Sequence, residues 1–220
     1  MTIASSKDAV VRASQLLASQ GLLFRGEHAN LSARIDHNQF VMTQGGFVAH
    51  LTTNDLAVLD LSGTVIEGDM DPTMQEVIQM HAGVYRTRSS VGAVIHTHSP
   101  HLTAFAVAHE EIPLVYEPLL RYGVTEPIPV IAWAPRGSDE SVSAILKVVE
   151  TRPGIPAVLM ANHGALVFHE DPLSTARLLA SLEEEAELII MANALGGAKP
   201  LDSRAVQAVQ ERMHAFGSHR

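Results

Sequence analysis

The chain has 220 residues, no cysteine, 46% hydrophobic residues and a formal net charge of −9. This length and apolar content suit a single domain, residues 1–220, with a sizeable core. The acidic balance, with no cluster of Lys and Arg, excludes a nucleic-acid surface built on neutralising phosphates, and the missing thiols exclude disulfides and thiolate metal sites. A small-molecule partner is the expectation. No stretch approaches the ~20 apolar residues of a membrane span. The start, Met1-Thr-Ile-Ala-Ser-Ser-Lys-Asp8, holds no apolar segment of signal-peptide length, so a cytoplasmic protein without a membrane partner is expected.

In chain order, Ser5-Ser-Lys-Asp8 reads as a capping box for a first helix whose apolar positions are Val10, Val11, Ala13, Leu16 and Leu17, with Gly21 as its stop. Leu31 to Ile35 and Gln39 to Thr43 read as strands around the turn Asp36-His-Asn38, followed by Gly45-Gly46. Ala57 to Leu61 and Thr64 to Ile66 flank Ser62-Gly63 as a hairpin. Asp71-Pro72 opens a helix carrying Val77, Met80 and Val84, which ends near Arg86 and Arg88. The apolar run Val91 to Ile95 is a strand that ends in His96-Thr97-His98. A short helix around Ala104 to Val107, a strand from Pro129 to Trp133 and a helix near Glu140 to Val149 follow. The strand Ala157 to Met160 runs into Ala161-Asn-His163-Gly164 and then Ala165 to Phe168. A long helix starts at Asp171-Pro172, passes through Leu178, Leu179, Leu182, Ala186 and Ile190, and stops at Gly196-Gly197. Strands mixed with helices point to an α/β protein, a three-layer α/β/α arrangement, and the hairpins require a mixed central sheet.

His96 and His98 are two residues apart, so on a strand they share one face, and His163 at the end of a second apolar run can supply a third imidazole to the same cation. Twelve histidines in the chain make some close spacings a matter of chance, yet imidazoles at the ends of buried runs need partners, and a shared metal is one. Glu76 falls four residues before Met80 and eight before Val84, on the apolar stripe, where a carboxylate is costly without a cation. Thr73-Met-Gln-Glu76 also fits a capping box in which the glutamate bonds only backbone. His28 reads either as a contact for a substrate carboxylate or as a surface-loop histidine. Glu183-Glu-Glu185 and Glu187 read as the solvated face of the long helix.

Four blocks then bring a family into view: Gly26-Glu-His-Ala-Asn-Leu-Ser-Ala-Arg34, Met42-Thr-Gln-Gly-Gly46, Glu76 through His96-Thr-His98, and Asn162-His163-Gly164. In this order, from about Asp8 to Gly197, they resemble the class II aldolase/adducin family. The resemblance implies one divalent ion per subunit, usually zinc and in some relatives manganese or cobalt, held by His96, His98 and His163. Glu76 matches the glutamate that completes the resting site and then serves as base, although its spacing from the His-x-His pair differs by one residue from the aldolase pattern. The implied activity is that of a metal-dependent lyase, most simply an aldolase cleaving a small hydroxylated carbonyl compound through a metal-stabilised enediolate. A decarboxylase of a keto or aromatic hydroxy acid is the alternative on the same site. A non-enzymatic adducin-like module is the remote one, since adducin heads lack metal ligands that this chain keeps. A homotetramer with interface active sites is also implied, in which a neighbour's segment from Lys199 onward covers the cleft.

The chain departs from the sugar-phosphate aldolases in the loops that cradle phosphate. Asn30, Thr43 and Gly45 match substrate-binding positions, but Glu27 stands where a hydroxyl would meet an anion, and Pro72-Thr73-Met74-Gln75 offers one hydroxyl where the family has two. Glu117 occupies the position of the proton-donating tyrosine, with Tyr116 on the opposite face of an expected strand. Glu117 is read as the proton donor or as a cap for the next helix.

Overall fold

The computed structural model describes residues 2–217. Eight strands form one sheet: β1 (Ala29–Arg34), β2 (Gln39–Thr43), β3 (Leu56–Asp60), β4 (Val65–Glu67), β5 (Ala93–Thr97), β6 (Val130–Ile131), β7 (Ala157–Met160) and β8 (Gly164–His169). Their spatial order is β4-β3-β2-β1-β5-β8-β7-β6. Every neighbouring pair is antiparallel except β6 with β7, so the sheet is mixed as expected. The helices are α1 (Ile3–Ser19), α2 (Gln75–Thr87), α3 (Pro100–Ala108), α4 (Asp139–Thr151), α5 (Pro172–Ala192) and α6 (Ser203–Gly217).

Strand alternation divides the core into two halves. Leu31, Ala33, Ile95, Leu159 and Val167 point to one side and pack with Val10 and Leu17 of α1, Leu102 and Ala106 of α3, and Leu178 and Leu182 of α5. Phe40, Met42, Val94, Val158 and Phe168 point to the other and pack with Val77, Ile78 and Val84 of α2 and Ile145 and Val149 of α4. The result is the expected three-layer α/β/α stack. Among the described residues no helix is long and apolar enough to cross a membrane.

Several element ends differ from the sequence reading. Thr2 rather than Ser5 caps α1, accepting from Ser5 N at 3.1 Å while Ser5 Oγ takes the Thr2 N–H. The expected strand over Pro129 to Trp133 shrinks to Val130–Ile131. Pro129 has no N–H to give a ladder, and the last ladder bond is the one from Ala161 N–H to the Ile131 carbonyl at 3.1 Å. The helix expected around Ala104 begins at Pro100, and the one expected at Asp71-Pro72 opens with a 3-10 turn before α2 starts at Gln75.

α5 differs most from what its sequence leads one to expect. Glu183 and Glu185 do not form a solvated face: they are 6% and 1% exposed. Glu183 accepts from the backbone N–H groups of His101 and Leu102 at 2.8 and 2.9 Å, capping the start of α3 in place of Ser99, whose side chain makes no cap bond. Glu185 accepts from Val115 N and Tyr116 N at 2.9 and 3.0 Å. Burial pushes Glu185 up to about 7, against the pull of those two backbone donors. A carboxyl whose native pKa is raised lends stability that is full below its unfolded value near 4.5 and is lost as pH rises through about 7. Urea titrations of wild type against Glu185→Gln, which keeps the Oε1 acceptor, are expected to diverge across that window. Between pH 4.5 and 8 the variant gains on the order of 3 kcal/mol relative to wild type, since a tenfold change in proton affinity is worth about 1.4 kcal/mol.

Candidate metal centre

The antiparallel ladder between β5 and β8 builds the site. His96 lies within β5, His98 one residue past its end, and His163 in the turn that joins β7 to β8. The three ring centroids form a triangle with all sides 4.9 Å. Their ligand atoms lie within 4.8 Å of one another, and among the described residues these three make up the group able to hold a metal ion. His96 Nδ1–H donates to the Ala165 carbonyl at 2.9 Å, which leaves Nε2 with its lone pair toward His98 Nε2 at 3.2 Å. A tetrahedral ion with bonds of about 2.0–2.1 Å sets its ligand atoms about 3.3–3.4 Å apart, so this pair is spaced for one.

The electrostatics favour neutral rings. Burial first, then the charges of His98 and His163, hold His96 well below the usual imidazole value. Burial, reinforced by His163, His28 and Arg136, pulls His98 down to about 4. His163 is lowered by burial and then by Arg136. Neutral imidazoles carry the lone pairs that a divalent ion needs, and the donor set therefore fits such an ion.

Local chain geometry presents these rings. Asn162 adopts φ 57°, its N–H donates to the Ala106 carbonyl at 3.0 Å, and its Oδ1 accepts from His109 Nε2 at 2.6 Å, which fixes the turn carrying His163. A Cβ on Gly164 would come within 2.6 Å of both the Thr97 carbonyl oxygen and the His98 ring, so only glycine lets β8 pass this close. A cleft of about 410 Å³ opens on His98 and His163, walled by Leu23, Phe24, Arg25, Pro100 and Thr103. The Phe24 ring stands edge-on to His98 at 5.4 Å.

The other expected site residues fall at different distances from this centre. Glu76, in the first turn of α2, lines a small pocket with Arg136 and His163. It is not on the buried stripe: its side chain is 53% exposed and its Oε2 pairs with Arg136 Nε at 2.9 Å. The capping-box reading fails as well, because Asp71 Oδ1 takes the Thr73 N–H. His28 is half-buried, 6.2 Å ring to ring from His98, and its ring packs where a Gly46 Cβ would sit, so it joins the site's rim and is not a free surface-loop histidine. Asn30 is buried directly across from His96 in the β1–β5 register. Thr43 is fully buried with Oγ1 accepting from Leu31 N at 3.3 Å, so its hydroxyl is committed to the sheet. Gly45 lies in the bend after β2 with open space around its Cα.

Glu117 and Tyr116 are not on a strand. Glu117 is exposed at the start of a 3-10 helix, Glu117–Tyr122, and is not part of its own chain's imidazole group. The segment from Lys199 begins by packing on its own chain, where Leu201 N–H donates to the Leu114 carbonyl at 2.8 Å. Two residues near the centre escaped sequence reading. Arg136 sits in a loop whose Arg-Gly-Ser-Asp run reads as a helix start. His81 hides among the apolar positions of α2, where its contact with Asn30 is invisible without the fold.

Comparison with known proteins agrees with this geometry. Residues 8–190 match the model of the class II aldolase and adducin N-terminal domain. An L-fuculose phosphate aldolase of Methanococcus maripaludis is 28% identical over 170 residues, 77% of this chain and 88% of its own. A 3-oxo-tetronate 4-phosphate decarboxylase of Haemophilus influenzae is 30% identical over 192 residues, 86% of this chain and 88% of its own. The solved structure of an L-fuculose 1-phosphate aldolase superimposes with a TM-score of 0.82 at 25% identity, covering 96% of both chains. With the three histidines set at the ends of strands in this sheet, the chain belongs to the class II aldolase and adducin family.

Proposed function

We propose that the protein is a divalent-metal-dependent carbon–carbon lyase that cleaves a small hydroxylated carbonyl compound in a retro-aldol reaction. The observation that carries this reading is the triangle of imidazoles with two Nε2 atoms 3.2 Å apart. His96, His98 and His163 would hold the ion, with zinc the first choice and manganese or cobalt the alternatives. Such an ion polarises a carbonyl and takes up the negative charge that develops as a carbon–carbon bond breaks.

The chain's own groups supply the rest. Glu76, beside His163 in one pocket, takes the proton from the substrate hydroxyl once its carboxylate parts from Arg136. Asn30 and the backbone at Gly45 contact substrate oxygens, and His28 and Arg136 add positive charge or donors for an anionic group. Glu117 is the proton donor that quenches the enediolate once the aldehyde has left. Being exposed and not part of its own chain's imidazole group, it serves the site of a neighbour in a homotetramer with interface active sites. The compartment we assign is the cytoplasm.

Decarboxylation of a keto acid is the second reading, favoured by the acidic Glu27 in the first loop and by the Haemophilus influenzae relative. Zinc-loaded protein offered L-fuculose 1-phosphate, 5-deoxyribulose 1-phosphate and 3-oxo-tetronate 4-phosphate separates the two. Aldehyde release without carbon dioxide is the expected result. Carbon dioxide without aldehyde establishes the second reading, and zinc-loaded protein inert to a wider panel of phosphorylated and carboxylated compounds contradicts both.

A further inference from the structure

Behind His96 runs a file of buried polar side chains that the reaction as described does not use. Tyr85 Oη is 2.7 Å from Ser32 Oγ, Ser32 Oγ is 2.7 Å from His81 Nδ1, and His81 Nε2 is 2.6 Å from Asn30 Oδ1. All four residues are buried, on β1 and on the face of α2 that covers it. Arg34 closes the far end, with its guanidinium over the Tyr85 ring at 4.8 Å and its NH2 group on the Tyr85 carbonyl.

The direction of the protons follows from what each atom can do. Among the described residues the buried Tyr85 hydroxyl meets one acceptor, Ser32 Oγ, so the phenol gives its proton there. Ser32 in turn gives its hydroxyl proton to His81 Nδ1. The single ring proton of His81 then lies on Nε2, where it meets Asn30 Oδ1, an atom that only accepts. This fixes which way round the Asn30 amide stands. Its Nδ2, with two N–H groups, is the amide atom turned away from His81, and it makes no hydrogen bond among the described residues. Asn30 is also the cross-strand partner of His96, with side chains on one face of the sheet.

We propose that His81 is a positioning residue: acting through Asn30, it aims an amide N–H donor at the ligand oxygen bound beside His96. The inference rests on the lyase reading for the identity of that oxygen, which gains negative charge in the reaction. A preset N–H donor lowers the energy of such an oxygen, whereas the reversed amide would face it with Oδ1 and repel it. A histidine with its proton on Nδ1 would permit that reversal.

Two measurements test this. Long-range proton–nitrogen NMR on the metal-free protein reads the His81 tautomer, and the Nε2–H form is expected; the Nδ1–H form overturns the proposal. Calorimetry on zinc-loaded protein then uses oxalate, a dianion with adjacent oxygens, as the probe. His81→Leu is expected to weaken oxalate by about tenfold, and His81→Gln, whose amide still donates to Asn30, by less than about threefold. In an Asn30→Ala background His81→Leu should cost less than about twofold, since the two residues act as one unit. Additive losses, or an unaltered His81→Leu, overturn the proposal. If His81→Leu does not fold, full oxalate affinity in Asn30→Ala overturns it instead. Wild-type protein that holds zinc but not oxalate also counts against it. Wild-type protein that holds no zinc contradicts the lyase reading, and the tautomer still decides for or against His81.

Discussion

His96→Ala is expected to abolish turnover and strip the ion while leaving the protein folded. His96 is 4% exposed in the middle of the site, one of three ligands, and its Nδ1–H bond to the Ala165 carbonyl fixes the ring so that Nε2 faces His98. Loss of a partner that merely orients a metal-bound histidine costs about 10- to 100-fold in affinity, so loss of the ligand itself should cost more than about 100-fold. The fold has less at stake. β5 keeps its ladders to β1 and β8, and the cost is one buried hydrogen bond and part of a ring, on the order of 1–3 kcal/mol. Elemental analysis after dialysis, far-UV circular dichroism and thermal melting check the three parts. A variant that keeps stoichiometric ion and wild-type rate contradicts the assignment.

Glu76→Gln separates binding from proton transfer. The glutamine keeps the size of the side chain and can still accept from Arg136, but it cannot take a proton. Because the Glu76–Arg136 pair is largely solvent-exposed, the variant should lie within about 0.5 kcal/mol of wild type in stability. The ion should remain at least partly, held by the three imidazoles. The rate should fall by about 10²- to 10⁴-fold, the usual share of a positioned general base. Steady-state kinetics beside metal analysis reads both quantities. Wild-type kcat in this variant removes Glu76 from the role of base.

The three imidazoles were legible in the sequence because their placement follows strand geometry. His96 and His98 keep a period of two at the end of an apolar run, and Asn162 in a left-handed turn ends a second such run just before His163. The layers were legible for the same reason, from alternation in the strands and helical spacing in α1, α2 and α5. What stayed hidden depends on partners distant in the chain. Glu183 and Glu185 form a charge run on a long helix, and nothing local distinguishes them from Glu184 and Glu187. Their burial comes from the unpaired N–H groups of His101, Leu102, Val115 and Tyr116, brought to them by the fold. Helical spacing alone misplaces Glu76 on the stripe of its neighbours Val77 and Met80, and only the match to the family's glutamate singles it out. His81 sits on that buried stripe, and only Asn30 and Ser32 across the layer give it a purpose.

The central claim is that His96, His98 and His163 grip one divalent ion. Anomalous X-ray diffraction at the zinc edge, on crystals of protein loaded with one equivalent of zinc, tests it most directly. A single peak about 2.0–2.1 Å from a nitrogen of each of the three rings is the result expected. Density showing the three rings turned apart, with the zinc absent or held elsewhere, would contradict the account.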